Sequence, residues 1–546
     1  MKTKYLLLIF FIVIIVLMAV SPALKDNKII GIVDSPGLQG EILFQENIIY
    51  NIKKGNVFKY FDTDYLNYPN GERLHFALAN SFHLFLYAPL RIFLGPIRSY
   101  NMLLAIIVLL NFLSAYLLAK YLFRSKAVAS FSSLLFGLNS YILLKIDLGF
   151  IQKFAVFWIP LYMLMLLKLR GEKSHRYLFS AAIILCAMQL FYPPYSYYAI
   201  LFTMVLMSYA LAKRDEMKFA MSRFLLIVFF LISATSLIYY AMGFGFAYLN
   251  NPWHVINNTA EGSLNLFNPF KFFPYVSDSR FVHLPLGISV LAFTLSLFGA
   301  IGKKGIPRLL GVVFVVFLLL AAGPYLTFGG RAVTIFGHRV LLPFYFMSQY
   351  IPFASGIYFP IRLFPFINLC LSLMAGYGMI YVSDRFRVKN YAIAALVFSV
   401  IYVAELATLL PELFPPAVSK VIVPDIYRIA KKGDCKAVLN LPQSTDRKII
   451  NRYGLYASLS GKRLVNSYYK KDIPFYIPKN KDYPETKKRF IRFLSACGID
   501  YIILHEYLLR EGDKNPADDI SWLDDYCDVL NFPEEGISAY RIRSAN

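Results

Sequence analysis

Arg98–Leu122 reads RSYNMLLAIIVLLNFLSAYLLAKYL. A helix of about 20 apolar residues crosses the hydrocarbon core of a bilayer, and this run is long enough to do so. Basic residues close it off, with Lys120 inside its last turn and Arg124 and Lys126 just beyond. The same reading applies outward in both directions. Comparable segments stand at 127–144, 154–169, 177–192, 195–212, 221–243, 285–302, 308–324, 362–383 and 390–411. Upstream, Lys2 and Lys4 precede an unbroken apolar run from Tyr5 to Val20, which is longer than the usual core of a cleaved signal peptide and reads as a retained helix. The total is about eleven crossing segments. Phe82–Pro96 is apolar but short and interrupted by Pro89, so it reads as interfacial or re-entrant.

Composition points the same way. The chain of 546 residues is 58% hydrophobic and 17% aromatic but only 16% charged. A soluble domain that apolar would aggregate. The formal charge of +23 would suggest nucleic acid in a soluble protein. Here the cations sit in every second turn: Lys120, Arg124 and Lys126; Lys168, Arg170, Lys173 and Arg176; Lys213, Arg214, Lys218 and Arg223; Lys303, Lys304 and Arg308; Arg385, Arg387 and Lys389. Cytoplasmic turns carry such an excess, so the charge sets topology and nucleic acid is no partner. With Lys2 and Lys4 on the same side, the reading is N-terminus in and C-terminus out. The five cysteines are scattered, with neither zinc spacing nor a disulfide framework.

The predicted fold class is therefore a polytopic α-helical membrane protein. Residues 1–411 form its transmembrane domain, with a first outer loop over 24–81 and further outer loops over 245–284 and 325–361. Residues 412–546 form a small extracytoplasmic α/β domain. In that tail KAVLNLP (Lys436–Pro442) and GIDYIILHE (Gly498–Glu506) read as buried strands, and Thr486–Cys497 between them has helical spacing.

Candidate chemistry collects on the outer face. The first outer loop carries Asp34, Glu41, Glu46, Asp62 and Asp64, and a long polar loop beside a membrane is a good place for a catalytic base. Arg331, Arg339 and Arg362 lie on or beside the last outer loop. A guanidinium at the membrane edge, as in YFPIRLFPF around Arg362, is costly unless it snorkels or meets an anion such as a lipid phosphate. Asp147, flanked by Lys145 and Lys153, reads as a local ion pair. The chain has no GxSxG, P-loop or Rossmann fingerprint. The cytoplasmic turns are too short for a nucleotide, so a donor must already have crossed the membrane.

TDYLNYPNG (Thr63–Gly71) with His75, LGPIRSYNMLLAI (Leu94–Ile106), AAGPYLTFGG (Ala321–Gly330) and IPFASGIYFPIRLFPFINLCLSLMAGYGM (Ile351–Met379) resemble the multispanning proteins of the GT-C glycosyltransferase superfamily, including YfhO-like proteins. The resemblance implies transfer of a sugar from a polyprenyl-phosphate donor to an extracytoplasmic acceptor at the plasma membrane. It implies a carboxylate base in the first outer loop. That acid commonly stands as Gly-Asp upstream of the TDYL-like motif; here Gly40-Glu41 lies nearest and Asp34 further upstream, so both are candidates. Asp64 would orient the acceptor or a divalent cation, Mg or Mn. Arg362 with Arg331 or Arg339, and His75, would hold substrate and leaving phosphate. The superfamily's frequent Gly-His in the second outer turn is Gly149-Phe150 in this chain. Two competing readings are a transporter or flippase of a lipid-linked glycan, for which Glu405 is the clear charge within a helix, and a non-catalytic scaffold for envelope assembly.

Overall fold

The computed structural model describes residues 27–55, 62–73, 81–172, 174–212, 227–229, 231, 233, 288–302, 305–328, 331–350, 360–388, 390–442, 446–466, 477–508 and 520–543. The first expected helix, the outer loop 245–284 and His75 lie outside them. The chain divides into two compact units. One contains Met102–Asp147 and Ile151–Ala417; the other contains Ala23–Asn101, Leu148–Phe150 and Val418–Asn546. Hydropathy sets 24–81 beside the membrane segments, whereas contact groups it with the tail.

Four described helices are long and apolar enough to cross a membrane: Pro96–Phe123, Ile151–Glu172, Pro360–Arg385 and Tyr391–Leu409. Lys126–Gly137 and Ser140–Asp147, bent by 44°, form a fifth if taken as one broken span. Phe364–Arg385 is apolar on every side, the pattern of a helix surrounded by others. It packs against Lys126–Gly137, Val290–Gly302, Ile306–Ala321 and Tyr391–Leu409. Glycine permits the tightest of these contacts. A Cβ on Gly378 would lie 1.7 Å from the Leu295 carbonyl oxygen, and one on Gly299 would lie 2.2 Å from that of Met374. Helices in lipid associate through such small residues, because apolar side chains gain nothing by leaving lipid for each other.

Glu405 has a structural partner in the first unit. Its carboxylate accepts from Ser289 Oγ at 2.9 Å and from the amides of Val290 at 2.5 Å and Leu291 at 3.2 Å. These are orphan donors at the start of Val290–Gly302, where the helix dipole favours a negative charge. Asp147 is bound to backbone rather than to a neighbouring lysine, with Oδ1 accepting from the Ala417 amide at 2.8 Å.

The second unit is built on a five-stranded sheet. Its order is Arg463–Leu464, Ala437–Leu441, Ile499–His505, Ile537–Ile542 and Cys527–Phe532. The first three strands are parallel and the last two pair antiparallel. The two runs read as strands occupy the second and third places, and the intervening helix runs Pro484–Cys497. Alternate side chains serve opposite faces: Leu439, Leu441, Ile502 and Leu504 pack with Leu494 and Trp522, while Val438, Tyr501 and Ile503 pack with Ile426 and Tyr427.

The polar loop near the N-terminus belongs to this unit. Lys28–Ile30 pairs antiparallel with Val418–Lys420. The TDYLNYPNG stretch extends the sheet edge, with the Leu464 amide donating to the Tyr65 carbonyl at 2.8 Å and the Tyr68 amide to the Leu464 carbonyl at 3.2 Å. Between these, the Pro36–Lys53 helix packs on Arg447–Ser460, and Gly454 makes room for Leu43, whose side chain would be 2.5 Å from a Cβ there. The turn Leu148–Phe150 closes on the start of the Pro36–Lys53 helix. Gly149 holds φ +71, and a Cβ on it would come within 2.3 Å of Leu38 Cα.

His505 is completely buried, with Nε2 3.0 Å from Asn440 Oδ1 and 3.1 Å from the Tyr427 hydroxyl. Burial, and then the charge of Arg452, hold its pKa down from 6.5 to about 3. The folded state therefore binds this proton less well than the unfolded state does. Its contribution is complete above about pH 6.5 and is lost as pH falls towards 3. The acid limb of the stability profile, followed by thermal unfolding, should flatten in His505→Gln.

Candidate functional site

Asp34 ends the turn before the Pro36–Lys53 helix, whose N-cap Ser35 accepts from the Gly37 amide. Its side chain is 71% exposed, and Oδ1 lies 2.7 Å from Arg452 Nη2 on the Arg447–Ser460 helix. Glu41, less than two turns into the same helix, is only 3% exposed and accepts from Gln45 Nε2 at 3.1 Å. Of the two candidate bases, only Asp34 has its carboxylate in solvent.

Asp64 is enclosed by cations. Lys54 Nζ lies 2.7 Å and Arg463 Nη1 3.0 Å from Oδ2, and the Tyr50 hydroxyl donates to the same oxygen at 3.3 Å. Burial raises its pKa, but the hydrogen bond and charge of Lys54 and the charge of Arg463 outweigh this and leave it lowered. Arg463 also stands 4.0 Å from the Tyr68 ring, and Tyr68 donates its hydroxyl to the Cys497 carbonyl. Asp64 therefore joins the loop to the sheet. A carboxylate already shared by two cations is poorly suited to a divalent metal, and the described residues contain no group of three His, Cys, Asp or Glu that could hold one.

Glu46 forms a further pairing that the sequence did not single out. It is buried, receives the Tyr87 hydroxyl at 2.5 Å, and faces Arg91 Nε at 2.7 Å. Both partners stand on Ser81–Phe93, the segment read as interfacial. That helix exposes Phe85, Ile92 and Phe93.

In the membrane unit Arg362 stands in the short turn Pro360–Leu363, ahead of Phe364–Arg385. Its guanidinium lies 5.5 Å from the Tyr192 ring. It also acts electrostatically on Tyr141, Tyr195, Tyr198 and Lys145. Lys145 Nζ in turn lies 5.3 Å from the Tyr141 ring, and the Tyr141 and Tyr195 hydroxyls are 3.1 Å apart. The hydroxyls of Tyr192 and Tyr198 are buried and have no hydrogen-bond partner among the described residues. Arg362 and Lys145 each stand over a tyrosine ring of this cluster, and the buried Tyr192 and Tyr198 hydroxyls can donate to an anion. Tyr192 and Tyr198 were missed, and Lys145 was read only as a partner of Asp147, because no sequence spacing links them to Arg362. Arg452 was missed because 418 positions of chain separate it from Asp34.

The remaining assigned cations lie in the same unit. Arg339 is exposed, with its guanidinium 5.1 Å from the Tyr325 ring. Arg331 stands in the two-residue strand Arg331–Ala332. The structure thus puts the three acids in one unit and Arg331, Arg339 and Arg362 in the other.

No family model and no curated protein matches the sequence. Two solved structures are similar to it. ArnT from Cupriavidus metallidurans, bound to undecaprenyl phosphate, matches with a TM-score of 0.54 and 12% identity over 98% of this chain and 98% of that chain. The arabinofuranosyltransferase AftD from Mycobacteria matches with a TM-score of 0.49 and 12% identity over 97% of this chain. The chain spans only 42% of the length of AftD. At this identity the likeness to ArnT concerns fold alone, and it extends over 98% of each chain. This chain has the fold of ArnT, a membrane glycosyltransferase of the GT-C type.

Proposed function

We propose that this protein is a membrane glycosyltransferase that moves a sugar from a polyprenyl-phosphate donor to an acceptor on the extracytoplasmic face. The observation that carries this reading is the Arg362, Lys145, Tyr192 and Tyr198 cradle in a chain with the fold of ArnT. In the proposed reaction Asp34 takes the proton of an acceptor hydroxyl, and the acceptor oxygen bonds to the anomeric carbon. The bond from that carbon to the phosphate oxygen breaks. The electron pair leaves with polyprenyl phosphate.

The fuller topology belongs to the same proposal: eleven spans, the N-terminus inside, and the second unit outside, where it would recognise the acceptor. The transporter reading drew on Glu405 as an intramembrane charge, and a helix cap accounts for that charge.

Binding of undecaprenyl phosphate to purified protein in nanodiscs tests the cradle. Arg362→Met should weaken it by about 10- to 150-fold, the weight of one hydrogen-bonded charge. Equal affinity of the two proteins would remove the basis of the reading.

A further inference from the structure

Residues 324–328 and 331–342 pair with one another as a small meander. The Leu326 amide donates to the Val340 carbonyl at 3.0 Å, the Val333 amide to that of Leu326 at 2.8 Å, and the Val340 amide to that of Val333 at 3.1 Å. Its outer hairpin pairs Thr334 with Arg339 and Ile335 with His338. The two turn residues, Phe336 and Gly337, have φ of 51° and 79°. This is the tight turn in which both central residues are left-handed, and Asn-Gly suits it best. A phenylalanine there is an outlier, and an outlier of this kind points towards use.

Phe336 is 99% exposed and its neighbour Ile335 55%. Since the backbone around them is hydrogen-bonded, the exposure belongs to a formed element. More apolar surface follows, at Leu341 and, on the Pro343–Tyr350 helix, at Phe346 and Tyr350. That helix packs against Ile306–Ala321, which itself exposes the apolar side chains of Val312, Val315 and Leu319. The exposed apolar side chains of the meander, of Pro343–Tyr350 and of the apolar helix Ile306–Ala321 thus lie on elements that pack in series. Two exposed polar side chains, the imidazole of His338 and the guanidinium of Arg339, stand directly behind the tip.

We infer that residues 331–350 are a bilayer anchor, in which Ile335 and Phe336 enter the boundary between headgroups and acyl chains while Arg339 and His338 meet lipid phosphates. An apolar tip backed by a guanidinium matches the chemistry of an anionic membrane surface. The inference does not depend on any transfer activity.

The test is quenching of tryptophan emission from Phe336→Trp in nanodiscs of phosphatidylglycerol and phosphatidylcholine, after subtraction of the parent protein, which has three tryptophans. Tyr483→Trp, at an 82% exposed position of the other unit, is the solvated control. The signal from position 336 should be blue-shifted, lose most of its intensity to lipids brominated on the acyl chain, and resist iodide. Position 483 should show the reverse. Iodide quenching at 336 matching that at 483 would overturn the anchor. So would resistance to both quenchers, which would place the tip against protein.

Discussion

Asp34→Asn is expected to lower sugar transfer by about 100- to 10,000-fold, the usual weight of a general base. The change is nearly isosteric, and the ion pair it breaks with Arg452 is largely solvated on the Asp34 side. It should therefore cost at most about 1 kcal/mol of stability. Steady-state transfer, measured as release of polyprenyl phosphate, should show the loss in kcat with donor binding intact. Glu41→Gln offers the contrast. Its carboxylate is buried, so any loss of activity there should follow a loss of folded protein. Full activity in Asp34→Asn would end the assignment of the base, whatever becomes of the phosphate cradle.

Gly378→Leu should destroy the membrane unit. The site would place side-chain atoms inside van der Waals contact with the Leu295 carbonyl, which belongs to helix backbone and cannot swing aside. Overpacking costs about 1–3 kcal/mol where side chains can adjust, and here the two helices themselves must separate. Size-exclusion profiles after heating should show aggregation at temperatures that the parent protein tolerates. Gly311→Ala is the control, since a Cβ there meets only Met374 Cε at 3.8 Å.

Several apolar helices could be read directly, as could the strands Ala437–Leu441 and Ile499–His505, because length and side-chain chemistry are local properties. The Pro36–Lys53 helix was hidden. Gln39, Gln45, Asn47 and Asn51 are all buried, so its polar residues mark no solvent face and its period is blurred. The TDYLNYPNG stretch was visible as a motif but not as a joint. Its partners are backbone groups near Leu464, and hydrogen bonds of that kind leave no trace in composition. The spacing of that motif favoured Glu41, whereas exposure favours Asp34. The choice turns on which side of a helix meets water, and the spacing carries no information about that.

The meeting of Lys28–Ile30 with Val418–Lys420 sets a timetable for synthesis. Val33 binds Ser419 Oγ across 386 positions of chain. At about 5–20 residues per second, the early partner is made roughly 20–80 s before the late one. Throughout that interval the new chain carries an unfinished sheet edge, and Asp34 lacks its guanidinium. A ribosome that stalls inside the last membrane helix would leave both exposed to chaperones and proteases. Completion of the translated chain is thus built into the environment of the proposed catalytic carboxylate.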